Sequence, residues 1–270
     1  MNNFKPIVLI TGASRGIGFE TAKLLLGSGF RVYGGSRTLA ATLDNESFVA
    51  LQLDVADDSS VRKAVDQIIR IDGRLDVLIN AAGYSVFGAS EDILEKDLFL
   101  QFNTNYFGVV RCVNRVLPIF RAQKSGVIVN IGGMASRFPL PFQAHYSAAK
   151  AALSSYSEAL SIEVSRYGIR VSLIEPGDVK TTFTDHRVQV LKSGGAYVES
   201  HRRVLEVVEQ DERSGASPKV VANAIHRIIQ NYGAPEYLKV GLWTQRLAVF
   251  TIGFLPKSLS RRLIGYYYNV

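Results

Sequence analysis

Residues 7–10 form a short apolar, β-branched run that meets Thr11-Gly12-Ala13-Ser14-Arg15-Gly16-Ile17-Gly18, after which Phe19, Ala22, Leu25 and Leu26 recur at helical spacing. Strand, glycine-rich turn and helix in that order constrain the fold more than any other feature. The pattern then repeats. Residues 31–36 and 48–55 read as strands, 61–71 as a helix, and 75–80 as a fourth strand entering Ala81-Ala82-Gly83. A long helical stretch over 95–123 leads into a buried-strand run at 127–131, a helix over 146–167 and a sixth strand at 169–174. Continuous Val/Ile/Leu strands separated by helices predict an α/β fold, a doubly wound parallel sheet of about seven strands with helices on both faces. Residues 181–217 are charged and weakly periodic, which predicts a substrate lid; a helix from Pro218 and a last strand at 237–241 follow. A single domain over 1–270 accommodates all of this, with an apolar and basic extension at 242–270.

Composition narrows the class. Apolar residues make up 47% and charged residues 20%, which excludes a disordered or collagen-like chain. The net charge of +7 carries no Lys/Arg run of the length a nucleic-acid surface needs, so no nucleic-acid partner is expected. Cys112 is the only cysteine; it permits no internal disulfide, reads as a small buried hydrophobe and fits a reducing, cytoplasmic setting. The first six residues lack the apolar core of a signal peptide, and no apolar stretch reaches bilayer length. No metal-ligand cluster is expected.

A glycine turn between first strand and first helix lets backbone N–H groups and the helix N-terminus approach a pyrophosphate. The spacing Gly12-x-x-x-Gly16-x-Gly18 differs from the common G-x-G-x-x-G fingerprint. At the end of the second strand, where a carboxylate would take a ribose hydroxyl, stands Arg37, and Arg15 lies inside the loop. Two cations and no carboxylate favour the 2′-phosphate of NADP(H) over NAD(H).

Tyr146 and Lys150, four apart, share one face of a helix. An ammonium beside a phenol lowers the phenol pKa from about 10 and prepares it as a general acid or base toward an alcohol or ketone. With Asp54-Val55, Asn80-Ala81-Ala82-Gly83, Asn105-Tyr106-Phe107-Gly108, Tyr146-Ser147-Ala148-Ala149-Lys150 and Pro176-Gly177-Asp178-Val179-Lys180-Thr181 in this order, the chain resembles the short-chain dehydrogenase/reductase family over about its first 240 residues. The resemblance implies a Rossmann-like fold and an NADP(H)-dependent carbonyl reduction or its reverse. It implies cofactor contacts from Gly12, Ser14, Arg15, Gly16, Ile17, Gly18, Arg37, Asp54, Val55, Asn80, Ala81, Gly83, Pro176, Gly177, Val179 and Thr181. Tyr146 would be the acid/base, Lys150 would bind the nicotinamide ribose, and Asn105 would anchor a water in a proton relay. Members of the family commonly pair through two long helices, so a homo-oligomer is expected.

One position departs from the family. Its substrate-binding serine lies thirteen residues before the tyrosine, and that place is Gly133. Loss of one such donor costs on the order of 10²–10³ in rate. Ser136, Ser85 or a water could take the role, and Ser136 is the candidate carried forward; a binding protein with altered or lost redox chemistry is the rival. Phe138-Pro139-Leu140-Pro141-Phe142 with Tyr84, Val86 and Phe87 predict an apolar site mouth and a lipophilic carbonyl or alcohol substrate. The tail around Trp243, Leu247, Phe250, Phe254 and Tyr266 to Tyr268 is similar to steroid- and retinoid-active branches of the family. Its apolar and basic mixture could also rest on an anionic membrane, the lesser reading beside core packing.

Overall fold

The computed structural model describes residues 5–38, 43–192 and 195–270. Met1 to Phe4, and Ser193 and Gly194 of the expected lid, lie outside the described residues. In chain order the elements are β1 (Ile7–Thr11), α1 (Gly16–Gly27), β2 (Arg31–Ser36), β3 (Phe48–Gln52), α2 (Asp58–Asp72), β4 (Val77–Asn80), β5 (Val86–Gly88), α3 (Glu95–Phe102), α4 (Gly108–Gln123), β6 (Gly126–Ile131), α5 (Ala144–Val164), β7 (Ile169–Pro176), β8 (Val188–Val190), α6 (Val198–Ser214), α7 (Pro218–Gln230), β9 (Tyr237–Val240), α8 (Trp243–Ile252) and α9 (Lys257–Tyr268). The main sheet has seven strands in the order β3-β2-β1-β4-β6-β7-β9, and every pair is parallel. The fold is a single-domain, Rossmann-like doubly wound sheet.

Strand alternation builds the layers. Leu9, Leu78, Ile128, Val171 and Leu173 point to one face, where Val65 and Ile68 of α2, Val113 and Phe120 of α4 and Leu153 of α5 cover them. Val8, Ile10, Val32, Ile79 and Val129 point to the other, under Ala22 and Leu25 of α1 and Val221, Ile225 and Ile228 of α7. Each such fully buried aliphatic side chain contributes about 1.5–3 kcal/mol. Cys112 belongs to the first layer, and burial pushes its thiol up to about 12, as suits a packing residue. The chain leaves β1 toward β2 and β3, then returns to β4 on the other side. The strand order therefore reverses between β1 and β4, the crevice where open α/β sheets place ligands.

Three expectations change. The helix expected over 95–123 is two helices joined by a π-helical turn, Asn103–Phe107, with one residue too many for a regular turn. The third strand stops at Gln52. The segment 181–217 is less a loose lid than a small subdomain: β8 pairs with β5, and α6 adds seventeen residues of helix. Val204 and Val208 of α6 pack with Phe87, and with Ile264 and Tyr268 of α9, in a third core. The C-terminal helices thus close over the ends of the main sheet.

Candidate active site

The turn after β1 is built by close approach. Gly12 has φ +70°, and a Cβ there would stand 2.7 Å from the Ala82 backbone; one at Gly18 would stand 2.4 Å from the Gly12 carbonyl oxygen. The β1 and β4 turns are therefore pressed together, and Thr11 Oγ1 fastens them by accepting from the N–H groups of Ala81 and Ala82 at 3.1 and 3.2 Å. No side chain caps α1, and its first turn holds no carboxylate, so its N–H groups remain available to a phosphate. These features fit a dinucleotide.

A cavity of about 630 Å³ runs from this loop to the C-terminal helices. Gly12, Ser14, Arg15, Gly16, Ile17, Arg37, Asp54, Val55, Ala81, Gly83, Pro176, Gly177, Val179 and Thr181 line it, as do Tyr146 and Lys150. The sequence-predicted residues Gly18, Asn80, Asn105 and Ser136 are not among its lining residues. Asn80 donates instead to Asn130 Oδ1 at 2.8 Å, and Asn130 donates to Ser157 Oγ at 2.9 Å, a buried chain across the sheet. Asn105, inside the π-helical turn, clamps Tyr84: its Oδ1 accepts from the Tyr84 N–H at 2.8 Å and its Nδ2 donates to the Tyr84 carbonyl at 2.7 Å.

Beyond the nucleotide loop the cavity becomes apolar. Leu100, Met134, Phe138, Leu140, Phe183, Val249, Ile252 and Ile264 form much of the wall, interrupted by the carboxylates Asp178, Asp211 and Glu212. Burial, with Asp211 and Glu212 nearby, raises the Asp178 carboxyl to about 6. Glu212 is held by the Arg187 guanidinium and by the Thr184 hydroxyl at 2.6 Å.

Tyr146 and Lys150 stand where the two halves meet. A Cβ on Gly133 would lie 3.7 Å from the Tyr146 hydroxyl and 3.9 Å from Lys150 Cγ, so Gly133 borders the Tyr146 phenol in open contact. Lys150 is buried and donates to the Ile131 carbonyl at 2.8 Å; its Nζ is 5.7 Å from the Tyr146 ring centroid. The expected lowering of the phenol pKa gives way to the opposite direction. Burial is the largest cause, and the nearby Glu212 and Asp178 charges add to it, so Tyr146 is held as the neutral phenol well above its ordinary value.

The Ser136 hydroxyl donates to Glu175, and Ser136 is not among the cavity's lining residues. Ser85 is buried and likewise outside the lining. Glu175 is the residue that sequence reasoning missed. This fully buried carboxylate at the end of β7 also accepts from the Tyr237 hydroxyl, and its charge opposes the desolvation that brings Lys150 down to about 8. In Glu175→Gln that support is lost and the Lys150 pKa falls further. If the ammonium is the active form, the alkaline limb of kcat/KM, which reports the free enzyme, moves to lower pH. An unmoved limb would separate Glu175 from Lys150.

The sequence model described as short chain dehydrogenase matches residues 6–191. A 3-ketodihydrosphingosine reductase of Bacteroides thetaiotaomicron is 39% identical over 266 residues, 98% of each chain. Among solved structures, a short-chain dehydrogenase of Streptomyces avermitilis aligns with a TM-score of 0.83 at 29% identity, over 98% of this chain and 97% of that one. A short-chain dehydrogenase/reductase of Burkholderia phymatum in complex with NAD shares the fold (TM-score 0.78, 24% identity, 88% and 90% covered). So does a serine dehydrogenase complexed with NADP+ (TM-score 0.76, 25% identity, 88% and 96% covered). With the glycine turn, the switch-point crevice and the Tyr146 and Lys150 pair in one cavity, the chain belongs to the short-chain dehydrogenase/reductase family, as an oxidoreductase served by a nicotinamide cofactor.

Proposed function

We propose that this protein reduces the ketone of a long-chain amphiphile with NADPH, Tyr146 delivering the proton. The observation that carries the reading is the continuity of the cavity, which joins a dinucleotide loop to an apolar wall with a neutral phenol between them. The bound cofactor supplies the hydride. Tyr146 donates its hydroxyl proton to the carbonyl oxygen as negative charge develops there, and the Lys150 ammonium, fixed on the Ile131 carbonyl, offsets the charge left on the phenolate.

The 3-ketodihydrosphingosine reductase that matches over nearly the whole chain supports a sphingoid ketone as the substrate class. An amino ketone of that kind carries a cation beside the reacting carbonyl, and Asp178 and Asp211 supply the opposing charge. Gly133 leaves space next to the Tyr146 hydroxyl for such a substituted carbonyl. Gly133→Ser should therefore raise kcat/KM for simple ketones about tenfold or more by adding a donor, while lowering it for the amino ketone by crowding. Steady-state kinetics on both substrates checks this, and equal changes would dissociate Gly133 from substrate choice.

Arg37 and Arg15 at the adenosine end, with no carboxylate in Tyr33-Gly34-Gly35-Ser36-Arg37, support NADPH. A charge-assisted contact to the 2′-phosphate contributes about 1.5–3 kcal/mol. Arg37→Ala is thus expected to raise KM for NADPH roughly 10- to 100-fold and leave KM for NADH nearly unchanged. Equal losses with both cofactors would remove the basis for the NADPH preference.

A further inference from the structure

The two C-terminal helices present apolar side chains on both sides. On α8, Thr244, Gln245, Ala248, Val249 and Ile252 line the cavity, while Trp243, Leu247 and Phe250 face out, continued by Phe254 just past the helix end. The spacings of 4 and 3 residues place Trp243, Leu247 and Phe250 on one helical stripe, and Phe254 follows four residues on in the turn after it. Trp243 is 72% and Phe254 76% exposed, and the Phe250 and Phe254 rings pack against each other with centroids 5.0 Å apart. On α9, Leu259 and Tyr266 are exposed in the same way, Tyr266 at 88%. Such a run of large exposed apolar side chains marks an interaction surface.

Charge identifies the occupant. Residues 242–270 contain Arg246, Lys257, Arg261 and Arg262 and no Asp or Glu. None of these four cations has a carboxylate partner among the described residues. An aromatic and aliphatic stripe flanked by unopposed cations is complementary to the headgroup boundary of an anionic bilayer. Among the described residues no helix is long and apolar enough to cross a membrane, so α8 and α9 are suited to lie on one.

We propose that α8 and α9 dock this protein on anionic lipid surfaces through Trp243, Leu247, Phe250 and Phe254, with the basic side chains on the headgroups. Docked in this way, the helices stand between the bilayer and the cavity that they wall, which places the apolar half of the cavity beside a reservoir of lipid. That consequence rests on the proposed lipid substrate. The docking does not.

Trp243 is the only tryptophan of the chain and reports on the surface directly. Full-length protein, without cofactor or substrate, is mixed at low salt with vesicles of phosphatidylcholine alone or phosphatidylcholine with phosphatidylglycerol, and co-sedimentation and Trp243 emission are recorded. The expected result is binding to the phosphatidylglycerol vesicles with a blue shift, weakened by salt. Phe250→Ser with Phe254→Ser, and separately Arg261→Glu with Arg262→Glu, should reduce the partition about tenfold or more. Turnover of a short, water-soluble ketone should be unchanged in both pairs, showing that the fold is intact. Protein that stays in the supernatant with unshifted emission overturns the proposal. So does a self-associated state in which Trp243 emission is already blue-shifted without vesicles, because the face would then be covered by a second copy. Failure of turnover with vesicle binding intact would count against the proposed reaction and leave the docking standing.

Discussion

Replacing Tyr146 by phenylalanine is expected to lower kcat by about 10²–10⁴-fold while NADPH still binds with nearly wild-type affinity. The phenol hydroxyl borders Gly133, and the variant keeps the ring while removing that proton. The packing of Tyr146 against Phe183, with centroids 6.3 Å apart, is retained, so thermal stability should change little. Stopped-flow reduction in single turnover separates chemistry from binding. A kcat within a few-fold of wild type would mean that the proton comes from elsewhere.

The second large effect concerns the subdomain over the cavity. The Arg187 side chain is fully buried, pairs with Glu212 of α6 and lies over the Phe87 ring at 5.8 Å. It ties the segment before β8 to α6, and Thr184 reinforces the same carboxylate. Removing one member of a buried pair leaves the other charge without compensation and costs about 3–5 kcal/mol, which for a chain of this size lowers Tm by on the order of 10 °C. Arg187→Ala should show that loss in thermal denaturation. Arg187→Met with Glu212→Leu, which removes both charges and keeps volume, should recover most of it. Equal destabilisation by the single and double variants would show that packing, rather than charge, holds the subdomain.

Much of this was legible in the sequence because it depends on local pattern. The buried runs at 127–131 and 169–174 fall in β6 and β7, and Tyr146 and Lys150 reach one cavity because they are one turn apart on α5. What was not legible depends on long-range partners. Glu175 sits in a strand with no motif of its own and acquires meaning only when Ser136 and Tyr237, distant in sequence, meet it. The α6 helix was hidden because its buried stripe is narrow, His201, Val204 and Val208 within a charged stretch, and tertiary packing on α9 and Phe87 supplies the rest. The phenol pKa went the other way because adjacency to a lysine is visible in sequence and burial among carboxylates is not.

The most direct test of the account is transfer of label from deuterated NADPH to 3-ketodihydrosphingosine, read by mass spectrometry of the product. A single deuterium at the former carbonyl carbon, formed by the wild type and suppressed in Tyr146→Phe, is the predicted result. Unreduced ketone in the presence of bound NADPH, or equal labelling by both proteins, would contradict it.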